Sequence, residues 1–312
     1  MNGPLVSIVL PVYNGSRHLD DAVDACFGQL YGNWELILVD DASTDDTPRR
    51  MEGYKARDRR VRVVHHETNR KLPAALNTGF ALARGSLLTW TSDDNCYRTE
   101  ALAEMVAFLE GRPDVDFVYA DHSVIDAAGV PQRRVRVADP EKLGLSNCVA
   151  ACFMYRRRLA EAVGQYREDR FLVEDYDYWL RCALAGRLAA LHKDLYLRRV
   201  HAASLSSRHP RRVIERTRAL LIEHLGRMNG SHRELKALTH IQLAKLAHAC
   251  SLSEESRRHL GAALRLSPRR AGRQLPALVN QGVLGPIAAG AIRPVYRTLR
   301  RLRRWRPNMQ AT

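Results

Sequence analysis

Short apolar runs alternate with amphipathic stretches through the first half of the chain. The runs predict strands near Val6–Val12, Leu36–Val39, Val61–His65, Ser86–Thr91 and Phe117–Asp121. Apolar residues at helical spacing predict helices near His18–Leu30, Thr47–Arg57, Pro73–Ala83 and Thr99–Glu110. Because this alternation is typical of parallel βαβ units, we expect an α/β fold with a mostly parallel sheet flanked by helices.

The pattern changes in the second half of the chain. The polar stretch Asp121–Gly144 predicts a hairpin and a loop over the functional site. Beyond it we expect an apolar strand over Asn147–Tyr155, a helix over Glu174–Ala185 and one or two edge strands within Ala189–Val200. From about Pro210 onward only helical spacing occurs, so we expect an α/β domain over residues 1–208 and a helical extension over residues 209–312.

Adjacent carboxylates follow the predicted strand that starts at Ser86. Asp93 and Asp94 come directly after this apolar run, at the carboxyl edge where open α/β sheets bind their ligands. Hard oxygen ligands at such an edge suit a divalent cation that bridges to phosphates. The alternative is a helix N-cap, in which Asp94 or Asn95 opens the helix that follows.

Two earlier strands also end in polar clusters. The first runs into Asn14 and Gly15, and the second runs into Asp40 and Asp41. Ser43 or Thr44 can cap the next helix, with Asp45 and Asp46 expected in its first turn. The carboxyl ends of parallel strands lie at one edge of a sheet. Three unrelated helix caps would be needed to explain all three polar clusters there, so a ligand site is favoured.

Six segments together resemble the family 2 glycosyltransferases. They are Val6–Gly15, Leu38–Thr47, Asn69–Ser86, Thr91–Asn95, Glu174–Arg181 and Arg199–Ser206, and they follow the order of the family over about two thirds of the chain. Each motif alone is weak, but six in order are specific. The resemblance implies a GT-A, Rossmann-like fold and inverting transfer of a sugar from a nucleotide-diphosphate sugar.

The resemblance also implies the donor contacts. It assigns nucleoside binding to Pro11, Tyr13, Asn14 and Asp41, with Asp41 facing the nucleobase, and ribose binding to Asp93. Tyr13 offers a stacking face, and without the resemblance it would be an ordinary aromatic residue at a strand end. Lys71 stands where the family commonly has glycine, so we expect this cation, or Arg70, near the phosphates.

The metal and the base are assigned in the same way. Asp94 is expected to bind Mn²⁺ or Mg²⁺, with His201 near the metal or the diphosphate. The acidic motif of the family often begins with Asp where this chain has Ser92, so metal binding depends on Asp94. Asp175 is the expected catalytic base and Glu174 supports the acceptor site, although acidic residues at a helix start also stabilise the helix dipole.

The charge is concentrated in the tail. The net charge is +15, and thirteen Arg with no acidic residue follow Glu255, which leaves only +2 for the rest of the chain. A strongly basic protein suggests nucleic-acid binding, but the arginines are not interleaved with aromatic residues. We therefore expect no nucleic acid, and the resemblance implies a glycan or glycolipid acceptor. The alternatives are a non-catalytic nucleotide-sugar binder and a nucleic-acid-binding protein.

The tail has its own pattern. Gln274–Ile292 is uncharged but rich in glycine and contains Pro286, so it is a weak candidate for a membrane span. Val295–Arg306 would form a helix with apolar residues and Trp305 on one face and arginines on the other. Such a helix can lie on an anionic leaflet, or it can pack as an ordinary solvated helix.

The six cysteines contain no C-x-x-C pair, and the N-terminus has no basic segment before its apolar run. This cysteine spacing favours reduced thiols rather than a disulfide framework or a zinc site. No signal peptide is expected. We therefore expect a cytoplasmic protein that can associate with the inner face of the membrane through its tail. The resemblance implies that it is an enzyme of polysaccharide biosynthesis.

Overall fold

A computed structural model describes residues 3–201, 208–280 and 283. The chain divides into two compact units. The sheet unit comprises Met1–Pro140 and Asn147–Arg216, and the helical unit comprises Glu141–Ser146 and Thr217–Thr312. The predicted boundary at residue 208 separates a catalytic domain from a helical extension, whereas the two units are defined by compactness alone. The predicted boundary therefore stays a prediction.

The sheet unit is built on one mixed sheet. Its strands are β1 (Val6–Val12), β2 (Trp34–Asp40), β3 (Val61–His65), β4 (Leu87–Trp90), β5 (Cys96–Tyr97), β6 (Phe117–Ile125), β7 (Pro131–Val135), β8 (Phe153–Arg156) and β9 (Leu188–Arg199). The order is β3-β2-β1-β4-β8-β6-β9-β5, and β7 pairs with β6. The strands β3, β2, β1 and β4 run parallel, as does the pair β6–β9. The α/β fold class is confirmed.

Helices cover this sheet. They are α1 (Leu19–Phe27), α2 (Thr47–Arg57), α3 (Leu72–Leu82), α4 (Ala101–Glu110), α5 (Arg157–Val163) and α6 (Glu174–Ala185). Every residue of β1 and β2 is buried, which is why both strands are almost continuously apolar. Val6, Ile8 and Leu10 of β1 pack in one core with Leu36 and Leu38 of β2. This buried pair of strands carries two of the three predicted polar ends.

Two expectations about the second half of the sheet are wrong in detail, and one short strand was not predicted. Of the predicted strand Asn147–Tyr155 only the last part is extended, because β8 begins at Phe153. The stretch Ala189–Val200 is one strand, β9, and it is not an edge strand because it lies between β6 and β5. The two-residue strand β5 was not predicted, since Cys96 and Tyr97 have no periodic pattern to reveal it.

The later helices are α7 (Pro210–Arg227), α8 (Arg233–Ala249), α9 (Ser253–Leu266) and α10 (Pro268–Asn280). In the helical unit, Leu238 and Ile241 of α8 pack with Leu260 and Ala263 of α9. None of the described helices is both long enough and apolar enough to cross a membrane. The predicted tail helix Val295–Arg306 lies outside the described residues. All six cysteines are free, as expected.

Candidate active site

The segment after β4 places the first carboxyl pair. The parallel pairing of β4 with β1 continues through Thr91, whose N–H donates to the Val9 carbonyl at 3.0 Å. Asp93 and Asp94 follow at the carboxyl edge of the sheet and are both half-buried. The helix-cap alternative for this segment is wrong, because α4 begins at Ala101 and has no side-chain cap.

Asp94 and His201 meet at this edge. His201 Nε2 lies 2.9 Å from Asp94 Oδ2, and each side chain is 22% exposed. Neither the sequence separation of 107 residues nor any local pattern indicates this contact. The structure therefore brings together the two residues that were predicted to bind metal.

Arg199 ties the end of β9 to the same segment. Its backbone N–H donates to Asn95 Oδ1 at 2.8 Å, and its Nε donates to the Asp94 carbonyl at 3.0 Å. Its guanidinium also pairs with Asp21 of α1 at 3.0 Å. The side chain is almost fully buried, so Arg199 positions Asp94 rather than contacting a ligand. The sequence prediction included Arg199 in a motif but assigned it no role.

Asp93 lies against Gly15. A Cβ atom at Gly15 would lie 1.8 Å from Asp93 Oδ2, so only glycine permits this approach. Burial, followed by the neighbouring Asp94 charge, raises the pKa of Asp93 to about 7. The two carboxyl groups thus create a negative potential that a cation would relieve.

The residues at this edge fit a divalent cation. A carboxylate oxygen and an imidazole nitrogen together suit Mn²⁺ better than Mg²⁺, which prefers oxygen ligands alone. No group of three or more His, Cys, Asp or Glu side chains with metal-binding geometry occurs among the described residues. Such an ion would therefore complete its coordination with phosphate oxygens and water rather than with a full protein cage.

The end of β1 carries the predicted nucleoside contacts. Tyr13 is 52% exposed, which leaves its ring face open, and Pro11 is buried within β1. Asn14 accepts a hydrogen bond from Thr44 N–H through Oδ1 at 2.8 Å, and its own N–H donates to Ser43 Oγ at 2.9 Å. Asn14 therefore holds the turn between β2 and α2 beside Tyr13.

The turn itself departs from the predicted helix cap. Helix α2 begins at Thr47 after Asp46, with no side-chain cap from Ser43 or Thr44. Asp45 lies before the helix, where its two oxygens accept from Thr47 N–H and Ser16 N–H at 3.0 Å and 3.1 Å. Local sequence could not show this arrangement, because Ser43 bonds to Asn14 and one Asp45 oxygen bonds to Ser16, each 29 residues away.

Asp41 organises the segment that contains Lys71. Its Oδ1 accepts from Arg70 N–H and its Oδ2 from Lys71 N–H, both at 2.8 Å. His66 Nδ1 lies 2.8 Å from Oδ1, and Lys71 has the left-handed φ of 73°. Three of the carboxylate's roughly four acceptor positions are thus occupied, and the predicted contact with a nucleobase would use the remaining one. The Lys71 side chain is exposed.

The second carboxyl pair opens α6. Asn147 Nδ2 donates to Asp175 Oδ2 at 2.7 Å, and Tyr176 N–H donates to Asp175 Oδ1 at 2.6 Å. Glu174 is 5% exposed, and its Oε2 has no hydrogen-bond partner within the described part of the chain. Asn147 was missed because it is one polar residue in an apolar stretch with no motif around it.

These surroundings separate the protonation of the two groups. Burial, with the neighbouring Asp175 charge, raises the pKa of Glu174 to about 8. Burial also raises the pKa of Asp175, but the hydrogen bonds from Tyr176 and Asn147 oppose that rise. The hydrogen bonds to Asp175 therefore favour its ionised form, whereas burial and the neighbouring Asp175 charge favour the protonated form of Glu174.

The end of β9 links the two carboxyl pairs electrostatically. Arg199 and His201 contact the Asp94 segment, and the charge of Arg198 acts on Asp175 and favours its ionised form. The arrangement combines an exposed aromatic ring, a cation site and a hydrogen-bonded carboxylate base. Such a site can hold a nucleotide and its phosphates and can remove a proton from a hydroxyl group.

Comparison with known proteins gives a family match. The sequence model of Glycosyl transferase family 2 matches residues 7–164. The "Uncharacterized protein y4gI" of Sinorhizobium fredii is 33% identical over 238 residues, which are 73% of this chain and 26% of that protein. The "Putative glycosyltransferase EpsE" of Bacillus subtilis is 33% identical over 186 residues, 58% of this chain and 67% of the relative. The chain thus spans about a quarter of the first relative's length.

One further relative and two solved structures are also similar to this chain. The "Putative teichuronic acid biosynthesis glycosyltransferase TuaG" of Bacillus subtilis is 29% identical over 153 residues, 48% of this chain and 60% of that protein. TarS 1–349 of S. aureus in complex with UDP-GlcNAc has a TM-score of 0.65 at 19% identity, covering 96% of this chain and 91% of that one. Mannosyltransferase PcManGT of Pyrobaculum calidifontis in complex with GDP-Man and Mn²⁺ has a TM-score of 0.61 at 20% identity, covering 96% and 87%. At these identities the solved structures show the shared fold alone.

Proposed function

Since the chain belongs to Glycosyl transferase family 2, we propose that it transfers a sugar from a nucleotide-diphosphate sugar to a hydroxyl group of a glycan or glycolipid, with inversion. One observation carries the proposal. His201 follows β9 and contacts Asp94, and the charge of Arg198 of β9 acts on Asp175, so the end of one strand connects the candidate cation site with the candidate base.

The donor would bind along the edge formed by β1, β2 and β4. The exposed ring of Tyr13 offers a stacking surface for the nucleobase, beside Pro11 and Asn14. Asp41 would accept a nucleobase N–H with its remaining lone pair, and Asp93 would contact the ribose. Lys71, whose backbone Asp41 holds, would place its charge near the diphosphate. The proposal of a nucleotide-sugar donor is supported by the relatives that share this family and fold.

The cation site would serve the leaving group. Asp94 and His201 would hold Mn²⁺ or Mg²⁺, and a bound cation neutralises the negative charge that develops on a departing diphosphate. Arg199 keeps the backbone of Asp94 in place by donating to its carbonyl oxygen.

The chemistry at the acceptor would be a single displacement. Asp175 would take the proton from the acceptor hydroxyl while the hydroxyl oxygen forms a bond to the anomeric carbon of the donor sugar. The bond from that carbon to the diphosphate oxygen breaks in the same step. Asn147 and Tyr176 aim the carboxylate and favour its ionised form. Glu174, being protonated, adds no second negative charge beside the base. One displacement inverts the configuration and needs no protein nucleophile.

The wider role follows from the relatives' names. EpsE is called a putative glycosyltransferase, and TuaG is assigned to teichuronic acid biosynthesis. These names support a role for this chain in the assembly of a bacterial-type polysaccharide. We further propose that the basic tail brings the enzyme to the inner face of the membrane, where glycolipid acceptors are found.

A thermal-shift screen of UDP-, GDP- and dTDP-sugars, with and without Mn²⁺, tests this function. A ligand raises the unfolding temperature only if it binds the folded protein, so one nucleotide should stabilise the chain in the presence of Mn²⁺. Release of the free nucleoside diphosphate with an added acceptor would then show transfer. Donor binding without turnover would favour a non-catalytic binder, and binding to unrelated DNA with no donor binding would favour a nucleic-acid-binding protein.

A further inference from the structure

We propose that the acceptor carries a negative charge close to its reacting hydroxyl and that Arg133 and Arg198 form the subsite that binds it. The charged group would be a phosphate or a carboxylate. This inference rests on the proposed function, because it describes the acceptor side of the site around Asp175.

Strand register places the two arginines together. Arg133 of β7 and Arg198 of β9 both pair with Val124 of β6, one on each side. Residues paired across neighbouring strands point to the same face of a sheet, so both guanidinium groups project beside Val124. Two strand spacings, about 10 Å, separate their backbones, and side chains as long as arginine can converge on one anion across that gap.

Arg198 also lies within electrostatic reach of the proposed catalytic base. The charge of Arg198 acts on Asp175, and the charges of Arg198 and Arg133 both act on His122, two residues before Val124. Arg199, the next residue of β9, points to the other face, where it contacts Asp94 and Asp21. Two consecutive arginines therefore serve different parts of the reaction, one at the donor end and one beside the base.

The two positive charges have no direct partner among the described residues, and Arg198 acts on Asp175 only through its charge. The guanidinium groups of Arg133 and Arg198 have no ion pair or hydrogen bond within the part of the chain that the structure describes. The nearby carboxylates already have partners. Asp194 accepts from Ser123 and Arg98 at 2.7 Å and 2.8 Å, and Asp121 accepts from Val137 N–H at 2.9 Å.

His122, which lies near both arginines, adds no charge to this group at neutral pH. Burial, and then the charges of Arg198 and Arg133, lower the pKa of His122 to about 4, so this imidazole is neutral at pH 7. Two like charges held near each other favour an anionic ligand, and they offer a neutral sugar no comparable advantage. The acceptor class that relieves this repulsion is a glycan or glycolipid with a phosphate or carboxylate next to the hydroxyl.

Calorimetry on the full chain tests the subsite directly. The donor site is first saturated with Mn²⁺ and whichever of UDP, GDP or dTDP corresponds to the sugar nucleotide that stabilises the chain in the thermal-shift screen, so that charged probes do not bind there. Three probes are then compared: trigalacturonate for carboxylate, glucose 6-phosphate for phosphate and maltotriose as the neutral control. We expect at least one charged probe to bind about tenfold or more tightly than maltotriose, with an affinity that falls as salt rises.

Three variants identify the residues. Arg198→Gln and Arg133→Gln should each weaken the charged probe by about tenfold, the usual scale for one charge-assisted hydrogen bond. Arg134→Gln is the matched control, because Arg134 is the next residue of β7, faces the other way and lies 3.5 Å from Asp121. It should leave the affinity for every probe unchanged within about twofold.

Two results would overturn the subsite. One is equal binding of the charged and neutral probes by the unaltered chain, and the other is an equal loss in Arg134→Gln and Arg198→Gln. Donor binding, measured on the same proteins by thermal shift with nucleotide sugars, separates this failure from failure of the proposed function. Normal donor binding with no preference for a charged probe rejects only the subsite, whereas no donor binding in the unaltered chain rejects the proposed function.

Discussion

Two pairs of adjacent carboxyl groups, Asp93–Asp94 after β4 and Glu174–Asp175 at the start of α6, look alike in sequence and differ in their surroundings. In each pair burial raises the pKa of the first member, to about 7 for Asp93 and to about 8 for Glu174. In each pair the second member has a side-chain partner. Asp94 lies 2.9 Å from His201 Nε2, and Asp175 accepts from Asn147 Nδ2 at 2.7 Å.

The partner decides what each pair can do. An imidazole nitrogen can coordinate a metal ion together with a carboxylate, so the Asp94–His201 pair suits a cation. An amide N–H stabilises a carboxylate but cannot take up a proton, so Asn147 leaves Asp175 free to act as the base. The same sequence feature, two adjacent acids after an apolar run or at a helix start, thus supports two different kinds of chemistry.

The largest expected effect comes from removing the base. Asp175→Asn keeps the size and polarity of the side chain but removes its basicity, so transfer should fall by about a hundredfold or more. Donor and Mn²⁺ binding should persist, since those contacts lie on other elements. Initial rates of nucleoside diphosphate release measure the change.

Glu174→Gln is the control for this variant. Because Glu174 is expected to be protonated already, the amide should replace it with a much smaller loss of turnover. Near-normal turnover of Asp175→Asn together with an inactive Glu174→Gln would mean that the roles are reversed. Activity in both variants would place the base elsewhere.

A second variant tests the metal side of the comparison. Asp94→Ala removes the carboxylate that His201 contacts and should weaken Mn²⁺-dependent binding of a nucleoside diphosphate by about tenfold or more, a scale typical of loss at a metal site. The fold should be retained, because Asp94 is half-buried and lies outside the regular elements. Unchanged Mn²⁺-dependent affinity in a calorimetric titration would show that Asp94 does not bind the cation.

A third variant tests the partner of the base. Asn147→Leu removes a hydrogen bond that favours ionised Asp175, so the pKa of Asp175 should rise. Since the reaction needs the ionised carboxylate, activity is lost as pH falls through that pKa, and the acid limb of the kcat/KM profile should move to higher pH. A uniform loss of rate with an unmoved limb would mean that Asn147 serves only in packing.

The smallest effect on either pair is expected from the tail. Removal of Val295–Thr312 should release the protein from vesicles that contain anionic lipid, because the basic amphipathic helix predicted there is the proposed membrane contact. Transfer to a soluble acceptor should change by less than about twofold, since neither carboxyl pair includes residues from this segment. Equal co-sedimentation of full-length and truncated protein would reject the membrane role of the tail.

The sequence alone determined much of this fold. The apolar runs of β1, β2, β3 and β4 and the helices between them follow from short-range periodicity, because a buried strand needs almost every residue to be apolar. The residues at the strand ends were also visible, since a carboxylate directly after a buried run is unusual. Asp93 and Asp94 were identified in this way, and the resemblance to the family added Glu174 and Asp175 at a helix start.

Only the tertiary structure decided the partners. His201 is 107 residues from Asp94, Arg199 is 178 residues from Asp21, and Asn147 is 28 residues from Asp175. The alignment of Arg133 and Arg198 beside Val124 likewise depends on pairing among three strands, including β9, which the sequence pattern placed at an edge. Periodicity along a chain reports whether a residue is buried but not what it is buried against. The pKa of a carboxyl group depends on the groups that surround it, so two similar acidic pairs acquired different chemistry only when the chain folded.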